Sequence, residues 1–164
     1  MELIAMVSPN LINSDSLKNT SIPENAQAFL LTLKTEYPDF VWQLGHRFKY
    51  RPEKTIIIDQ NSPAPWPYFA LLTLHELGHA LSRHKDYKTD VERLKIEAEA
   101  WQRAKREISA HPEWHLTYDE DFAEGELDSY RDWLHQKTKC KKCGLTRYQT
   151  ADGKYHCPQC DNLY

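Results

Sequence analysis

A His-Glu-x-x-His motif within residues 74–80 constrains the fold of this chain more than any other feature. On a helix, His75 and His79 lie on one face, about 40° apart around the axis, so their neutral imidazoles can bind one zinc ion. Glu76, beside the first histidine, can then accept a proton from a water molecule that the zinc activates. The motif predicts a catalytic metal site on a helix, and the rest of the chain must provide a third ligand.

The helix that carries this motif is predicted to span about residues 67–83, and apolar side chains occupy most of its circumference. Such a helix is buried. Because an unpaired buried polar group is costly, the two histidines and the glutamate need partners, and a metal ion provides one. The alternative is a buried histidine pair that is hydrogen-bonded to backbone carbonyls. Gly78 removes a side chain where another element can pack closely.

The third ligand is sought among the residues that follow the motif. A continued helix would place His84 about 180° from His75, so His84 is predicted to be a solvated residue at the helix end. The next helix carries Glu92, Glu97 and Glu99. Residues two apart on a helix diverge by about 200°, which places Glu97 at the edge of the buried stripe and Glu99 on the solvent side. Helical geometry therefore favours Glu97, and Glu92 and Glu99 suit solvated positions.

The pattern His75-Glu76-Leu77-Gly78-His79-Ala80-Leu81, followed by Glu97-Ala98-x-x-Trp101, resembles the ImmA/IrrE family of zinc metallopeptidases. The resemblance covers roughly residues 24–110. It implies that His75, His79 and Glu97 bind zinc, that Glu76 is the general base, and that the substrate is a protein, often a regulator. This chain departs from the family in its cysteine-rich C-terminus and in lacking an obvious N-terminal helix-turn-helix.

The combination with a cysteine module also resembles SprT-like proteases, which act on DNA-associated proteins, although those use a third histidine. Peptide hydrolysis further requires a donor that stabilises the oxyanion. The candidates are His111, His115, Tyr118 and Tyr130, and their spacing does not distinguish them. A rival from another functional class is a non-enzymatic adaptor, in which the cysteine module binds nucleic acid or protein and the helical domain is a scaffold.

Two Cys-x-x-Cys pairs near the C-terminus, Cys140 with Cys143 and Cys157 with Cys160, are separated by thirteen residues. This spacing is typical of a zinc ribbon, in which four thiolates surround one structural zinc ion. The residues between the pairs predict a hairpin that turns at Asp152-Gly153. A module this small cannot fold on apolar burial alone, so zinc binding should supply its folding free energy.

Charge is distributed unevenly along the chain. The net charge is −3, but residues 137–164 carry six basic and two acidic side chains, a net +4 that leaves −7 on residues 1–136. A basic ribbon is compatible with an anionic partner such as nucleic acid, or with a solubilising surface. The chain has neither a signal-peptide pattern at its start nor an apolar run of about 20 residues, so a cytoplasmic protein without a membrane partner is expected.

The remaining patterns predict an α+β fold, a minimal gluzincin-like domain of residues 23–136 after a loose lead-in of residues 1–22, and a zinc ribbon of residues 137–164. A capping box at Ser21 and Glu24 should begin a helix that buries one face. Three strands, at about residues 40–44, 46–50 and 55–59, predict a small antiparallel sheet. A second capping box, Thr89 with Glu92, should begin the glutamate-bearing helix. That helix is expected to bury Val91, Leu94, Ala98, Trp101 and Ile108.

Overall fold

The order of helices and strands confirms the α+β class over the residues that the computed structural model describes, 11–18 and 20–161. A short 3-10 turn, Pro112–Trp114, separates the last two helices. The elements are α1 (Ser14–Lys18), α2 (Glu24–Glu36), β1 (Val41–Gly45), β2 (Lys49–Arg51), β3 (Thr55–Asp59), α3 (Tyr68–Leu81), α4 (Asp90–Ala110), α5 (Glu120–Thr138), β4 (Tyr148–Gln149) and β5 (Tyr155–His156).

The three-stranded sheet is mixed, so the prediction of an antiparallel sheet is wrong. Its order is β1-β3-β2, with β1 parallel and β2 antiparallel to β3. The reason is the composition of β3, whose residues Thr55, Ile56, Ile57 and Ile58 are all buried. A strand that is apolar on both faces belongs in the middle of a sheet. β2 takes one edge through a short hairpin, and β1 must then use the other edge, where it runs parallel.

The segment before α2 is structured over its described part, which differs from the predicted loose lead-in. Ile12 and Leu17 are almost completely buried, and the Ile12 N–H donates to the Trp42 carbonyl at the edge of β1. The predicted capping box is also wrong, because the Ser21 hydroxyl donates to the Gln60 carbonyl and α2 begins after Pro23 without a side-chain cap. Residues 1–10, where the signal-peptide pattern was sought, lie outside the described residues.

The motif helix α3 lies in the centre of the core, as its composition predicted. Ten of its fourteen residues are buried, and it contacts β2, β3, α2 and α4. The buried face of α2 is the predicted one: Ala26, Phe29, Leu30 and Leu33. Since both neighbours of α3 along the chain pack against it, its histidines are held by the core itself.

The glutamate-bearing helix α4 is rotated from its predicted orientation. Its capping box at Thr89 is confirmed, but Val91 is 66% exposed. The residue that is buried at the start of α4 is Asp90, and adjacent helical residues point about 100° apart, so an inward Asp90 turns Val91 outward. The stripe that faces the core is Glu97, Trp101, Ala104 and Ile108. Glu97 is therefore in line with the core rather than at its edge.

The ribbon contacts the helical domain through the buried carboxylate of Asp90. Lys137 Nζ and the Tyr155 hydroxyl donate to Asp90 Oδ2 at 2.7 and 2.6 Å. The backbone N–H of Asp90 donates to Gln149 Oε1 at 2.8 Å. One carboxylate at the start of α4 thus bonds both the end of α5 and the ribbon hairpin.

None of the helices in the described residues is long and apolar enough to cross a membrane.

Candidate metal centres

The structure brings together the three side chains that were predicted to bind the first zinc ion. His75 Nε2 lies 3.1 Å from Glu97 Oε2 and 3.1 Å from His79 Nε2, and His79 Nε2 lies 3.3 Å from Glu97 Oε2. All three residues are buried. Three atoms that carry lone pairs thus form a nearly equilateral triangle beneath the molecular surface.

A glycine allows the two helices to bring these atoms together. A Cβ added to Gly78 would lie 2.3 Å from the backbone oxygen of Ala100, far inside van der Waals contact. Only glycine permits this approach between α3 and α4, and Glu97 lies one turn before Ala100 on the same helix. The Trp101 ring, 4.4 Å from the ring centroid of His75, covers the site from the α4 side. The close approach expected at Gly78 is confirmed.

The spacing of the three atoms matches a zinc ion better than hydrogen bonding alone. Zinc ligands lie about 2.0–2.1 Å from the metal, so two nitrogen or oxygen ligands of a tetrahedral site lie about 3.3 Å apart. The observed separations are 3.1–3.3 Å. A ring nitrogen carries either a proton or a lone pair, so hydrogen bonds cannot satisfy all three contacts at once, whereas one cation can. His75, His79 and Glu97 are therefore a candidate metal centre.

The electrostatics of Glu97 suit a ligand. Burial acts to raise its pKa, but the side-chain contacts with His75 and His79 outweigh burial and hold the pKa of Glu97 far below its usual value. Arg93 Nε lies 4.0 Å from Glu97 Oε1 and adds positive charge. Glu97 is thus an anion at all physiological pH values. The side chain of Glu99, by contrast, is half exposed.

Glu76 lies beside the histidines and lines an open cleft of about 580 Å³. Burial raises the pKa of Glu76, while the two histidines and the backbone N–H of Tyr50 act to lower it. His79 and Glu97 line the same cleft. A proton-accepting carboxylate and two of the three candidate metal ligands therefore face one solvent-accessible space.

Of the four residues predicted to stabilise an oxyanion, Tyr130 lines the cleft. Its ring lies 4.8 Å from the Arg93 guanidinium, and burial raises the pKa of Tyr130, so its hydroxyl keeps a proton at neutral pH. The other three residues, His111, His115 and Tyr118, are not part of the cleft lining. His111 instead lies in a separate, largely exposed cluster with Glu36 and Glu113.

The prediction that His84 is a solvated residue is wrong. Its side chain is only 9% exposed, and His84 Nδ1 lies 2.9 Å from His79 Nδ1. It is therefore behind His79, on the side away from the cluster formed by the Nε2 atoms. His84 Nε2 lies 3.2 Å from Glu99 Oε2. Burial and the nearby His79 lower the pKa of His84, which leaves the ring neutral at pH 7.

The turn that ends α3 explains the position of His84. The N–H of Arg83 donates to the Ala80 carbonyl and the N–H of His84 to the His79 carbonyl, both at 3.1 Å. These two bonds are those of a Schellman turn, whose left-handed residue is usually glycine. Here it is Arg83, with φ = 55°. Because no glycine marks the turn, the sequence did not reveal that the chain reverses and brings His84 back onto His79.

The four cysteines form a second cluster. Cys140 Sγ lies 3.8 Å from Cys160 Sγ, and Cys143 Sγ lies 3.5 Å from Cys157 Sγ. Zinc–sulfur bonds of about 2.3 Å give tetrahedral sulfur separations of about 3.8 Å, whereas a disulfide needs about 2.05 Å. The predicted hairpin is confirmed as β4 paired with β5. The cluster is a possible metal site of the ribbon type.

The ribbon backbone favours a thiolate. Backbone N–H groups of Cys143 and Lys142 lower the pKa of Cys140 to about 6. Gly144, which follows the first cysteine pair, has φ = 76° and allows the tight turn there. The neighbouring thiols raise the pKa of Cys160 to about 12, so the backbone stabilises a thiolate, the form that binds zinc, at Cys140 first.

Comparisons of this chain with protein-family models, with curated proteins and with solved structures gave no match. The chemistry of the two clusters is therefore inferred from their own residues.

Proposed function

We propose that this protein is a zinc-dependent metallopeptidase that hydrolyses peptide bonds of a protein substrate. The observation that carries the proposal is the triangle of His75, His79 and Glu97 atoms, 3.1–3.3 Å apart, with Glu76 beside it in an open cleft. A purely structural zinc site is usually closed by four protein ligands. A three-ligand cluster that faces a cleft leaves room for water and substrate.

The residues of the site have separate roles in this proposal. His75, His79 and Glu97 would hold zinc, which supplies Lewis-acid activation of water and of the scissile carbonyl. Glu76 accepts the proton of the attacking water and returns it to the leaving amine. Burial raises the pKa of Glu76 above its ordinary value, which makes its carboxylate a better proton acceptor.

Tyr130 is the proposed oxyanion donor. Its hydroxyl is protonated at neutral pH, and the neighbouring Arg93 adds positive charge on the same side of the cleft. Loss of one such donor typically lowers kcat by about 10²–10³. A Tyr130→Phe variant should therefore retain zinc and show a fall in kcat of that order.

The enzymatic proposal is tested with a library of peptides from a digested proteome, in which mass spectrometry counts new N-termini. The zinc-loaded protein should produce a defined set of cuts. Glu76→Gln should retain its zinc and produce none. Glu126→Gln, which changes an exposed glutamate on α5, is the matched control and should cut like the original protein. Equal cutting by the original protein and by Glu76→Gln would contradict the proposal, and the absence of cuts with the zinc-loaded original protein would contradict it and favour the adaptor.

A further inference from the structure

A chain of three side chains leads from the candidate zinc cluster to the molecular surface. His79 presents Nε2 to the cluster and Nδ1 to His84 Nδ1, 2.9 Å away. His84 in turn presents Nε2 to Glu99 Oε2, 3.2 Å away. The side chain of Glu99 is half exposed, and Lys95 Nζ lies 3.7 Å from its other oxygen. The three groups therefore form a continuous path through the protein.

Proton positions along this path are determined by its two ends. Glu99 accepts, so His84 Nε2 carries a proton, and a metal ion on His79 Nε2 would leave the ring proton of His79 on Nδ1, directed at the lone pair of His84 Nδ1. His79 Nδ1 must donate to that lone pair. A neutral imidazole with its proton on Nδ1 has its lone pair on Nε2, the atom that faces His75 and Glu97.

We infer that His84 and Glu99 are positioning residues for the zinc site: they fix the ring of His79 in the orientation and tautomer that direct Nε2 at the metal. The Schellman turn with left-handed Arg83 aims His84 at His79 from behind. Neither residue contributes an atom to the triangle of candidate ligand atoms. The inference rests on the zinc site of the proposed function but is independent of cleavage.

The other histidine of the cluster has no such support. His75 Nδ1 is buried and has no hydrogen-bond partner among residues 11–18 and 20–161. Its ring is held instead by packing against Trp101. Partners behind metal-binding histidines typically change metal affinity or activity about 10–100-fold when they are removed. In this site, among the described residues, His79 has such a hydrogen-bond partner behind its ring and His75 does not.

The test is a zinc titration of the full chain against a chromogenic chelator, in which the ribbon zinc is an internal standard. His84→Ala should weaken binding at the His75/His79/Glu97 site about 10–100-fold and leave ribbon affinity unchanged. His84→Gln should recover most of the loss, because its amide can accept from His79 and donate to Glu99. Glu99→Ala should give a smaller loss. His46→Ala, at an exposed histidine, is the control and should match the original protein.

Cobalt spectra separate positioning from simple packing. With cobalt at the histidine site, the d–d bands should shift in His84→Ala and return in His84→Gln. Unchanged zinc affinity in His84→Ala would overturn the inference, and so would an equal loss in the Ala and Gln variants. A chain that binds zinc as expected but cuts no peptide would remove the proposed function and leave this inference intact.

Discussion

The two candidate metal centres are built in opposite ways. The His75/His79/Glu97 cluster takes its atoms from two long helices that are packed in the core, and the cysteine cluster takes its atoms from turns of a small hairpin. The first would leave a ligand position open towards a cleft, and the second would close the metal in four thiolates. The helical site is therefore formed by folding, whereas the ribbon must bind its metal ion in order to fold.

This difference follows from apolar burial. The helical domain encloses Leu30, Ile56, Leu71 and many other fully buried side chains, and it would lose little of that burial without a metal. Among residues 137–161 of the ribbon, the buried ones are Cys140 and Cys157 themselves. A module without an apolar core depends on its metal for stability.

The largest effect on stability is expected when the ribbon loses its first cysteine pair. In a Cys140→Ser/Cys143→Ser variant, the ribbon should unfold, because a structural zinc contributes about 10–16 kcal/mol to modules of this type. Hydrogen exchange should show unprotected amides over residues 139–161 and retained protection in α3. His75→Ala is the matched variant of the other centre and should keep both regions protected. Persistent protection of the ribbon amides in this variant would contradict the claim that the ribbon needs zinc to fold.

Gly78→Ala should cause the next largest effect. The added methyl would meet the backbone of Ala100, so the free energy of unfolding should fall by about 1–3 kcal/mol, and the separated helices should bind zinc less tightly. Gly125→Ala is the control, because no atom lies within 4 Å of its added Cβ. That change should raise stability by about 1 kcal/mol. Urea unfolding measures both, and similar shifts in the two variants would contradict close helix packing.

The sequence predicted those parts of the site that depend on helical periodicity. Residues four apart share a helix face, which predicted that His75 and His79 lie together. Residues two apart diverge, which predicted that Glu97 rather than Glu99 is buried. The hairpin of the ribbon was likewise predictable, because its signals are local. Gly78 indicated that another element packs closely against α3, but the sequence did not show that this element is the backbone of Ala100.

The parts that were not predicted depend on tertiary contacts. The parallel pairing of β1 with β3 is decided by which strand the core buries on both faces. The inward position of Asp90, which rotates α4, depends on Lys137 and Tyr155, about 50 residues or more away along the chain. His84 was placed wrongly because a left-handed arginine ends α3, and arginine gives no turn signal.

Asp90 provides a third prediction, on the junction between the two regions. Burial acts to raise its pKa, but hydrogen bonds from Lys137 and Tyr155 lower the pKa of Asp90 below its usual value. The stability from this carboxylate is fully present above about pH 4, the unfolded value, and is lost as the pH falls through the lower folded pKa. Asp90→Asn should therefore cost about 1–2 kcal/mol, equally at pH 7 and pH 5.

Urea unfolding at the two pH values measures this cost. Asp128→Asn, which breaks an exposed contact with Arg131, is the control and should unfold like the original protein. A cost in Asp90→Asn that becomes larger between pH 7 and pH 5 would show that the folded pKa of Asp90 lies above its ordinary value, contrary to this account.

Arg83 gives the smallest expected effect. Its φ of 55° is unfavourable for a side chain with a Cβ, so Arg83→Gly should raise the free energy of unfolding by about 0.5–1 kcal/mol. Zinc affinity should stay the same, because the turn that positions His84 is retained. Thermal unfolding and zinc titration measure the two quantities. A lower melting temperature would argue against the left-handed turn.

Zinc content per chain, measured on purified protein by mass spectrometry of the metal, shows whether both centres bind zinc. We expect two zinc ions in the original protein, one in His75→Ala, and one in a variant without the four cysteines. A single zinc that His75→Ala retains would contradict this expectation.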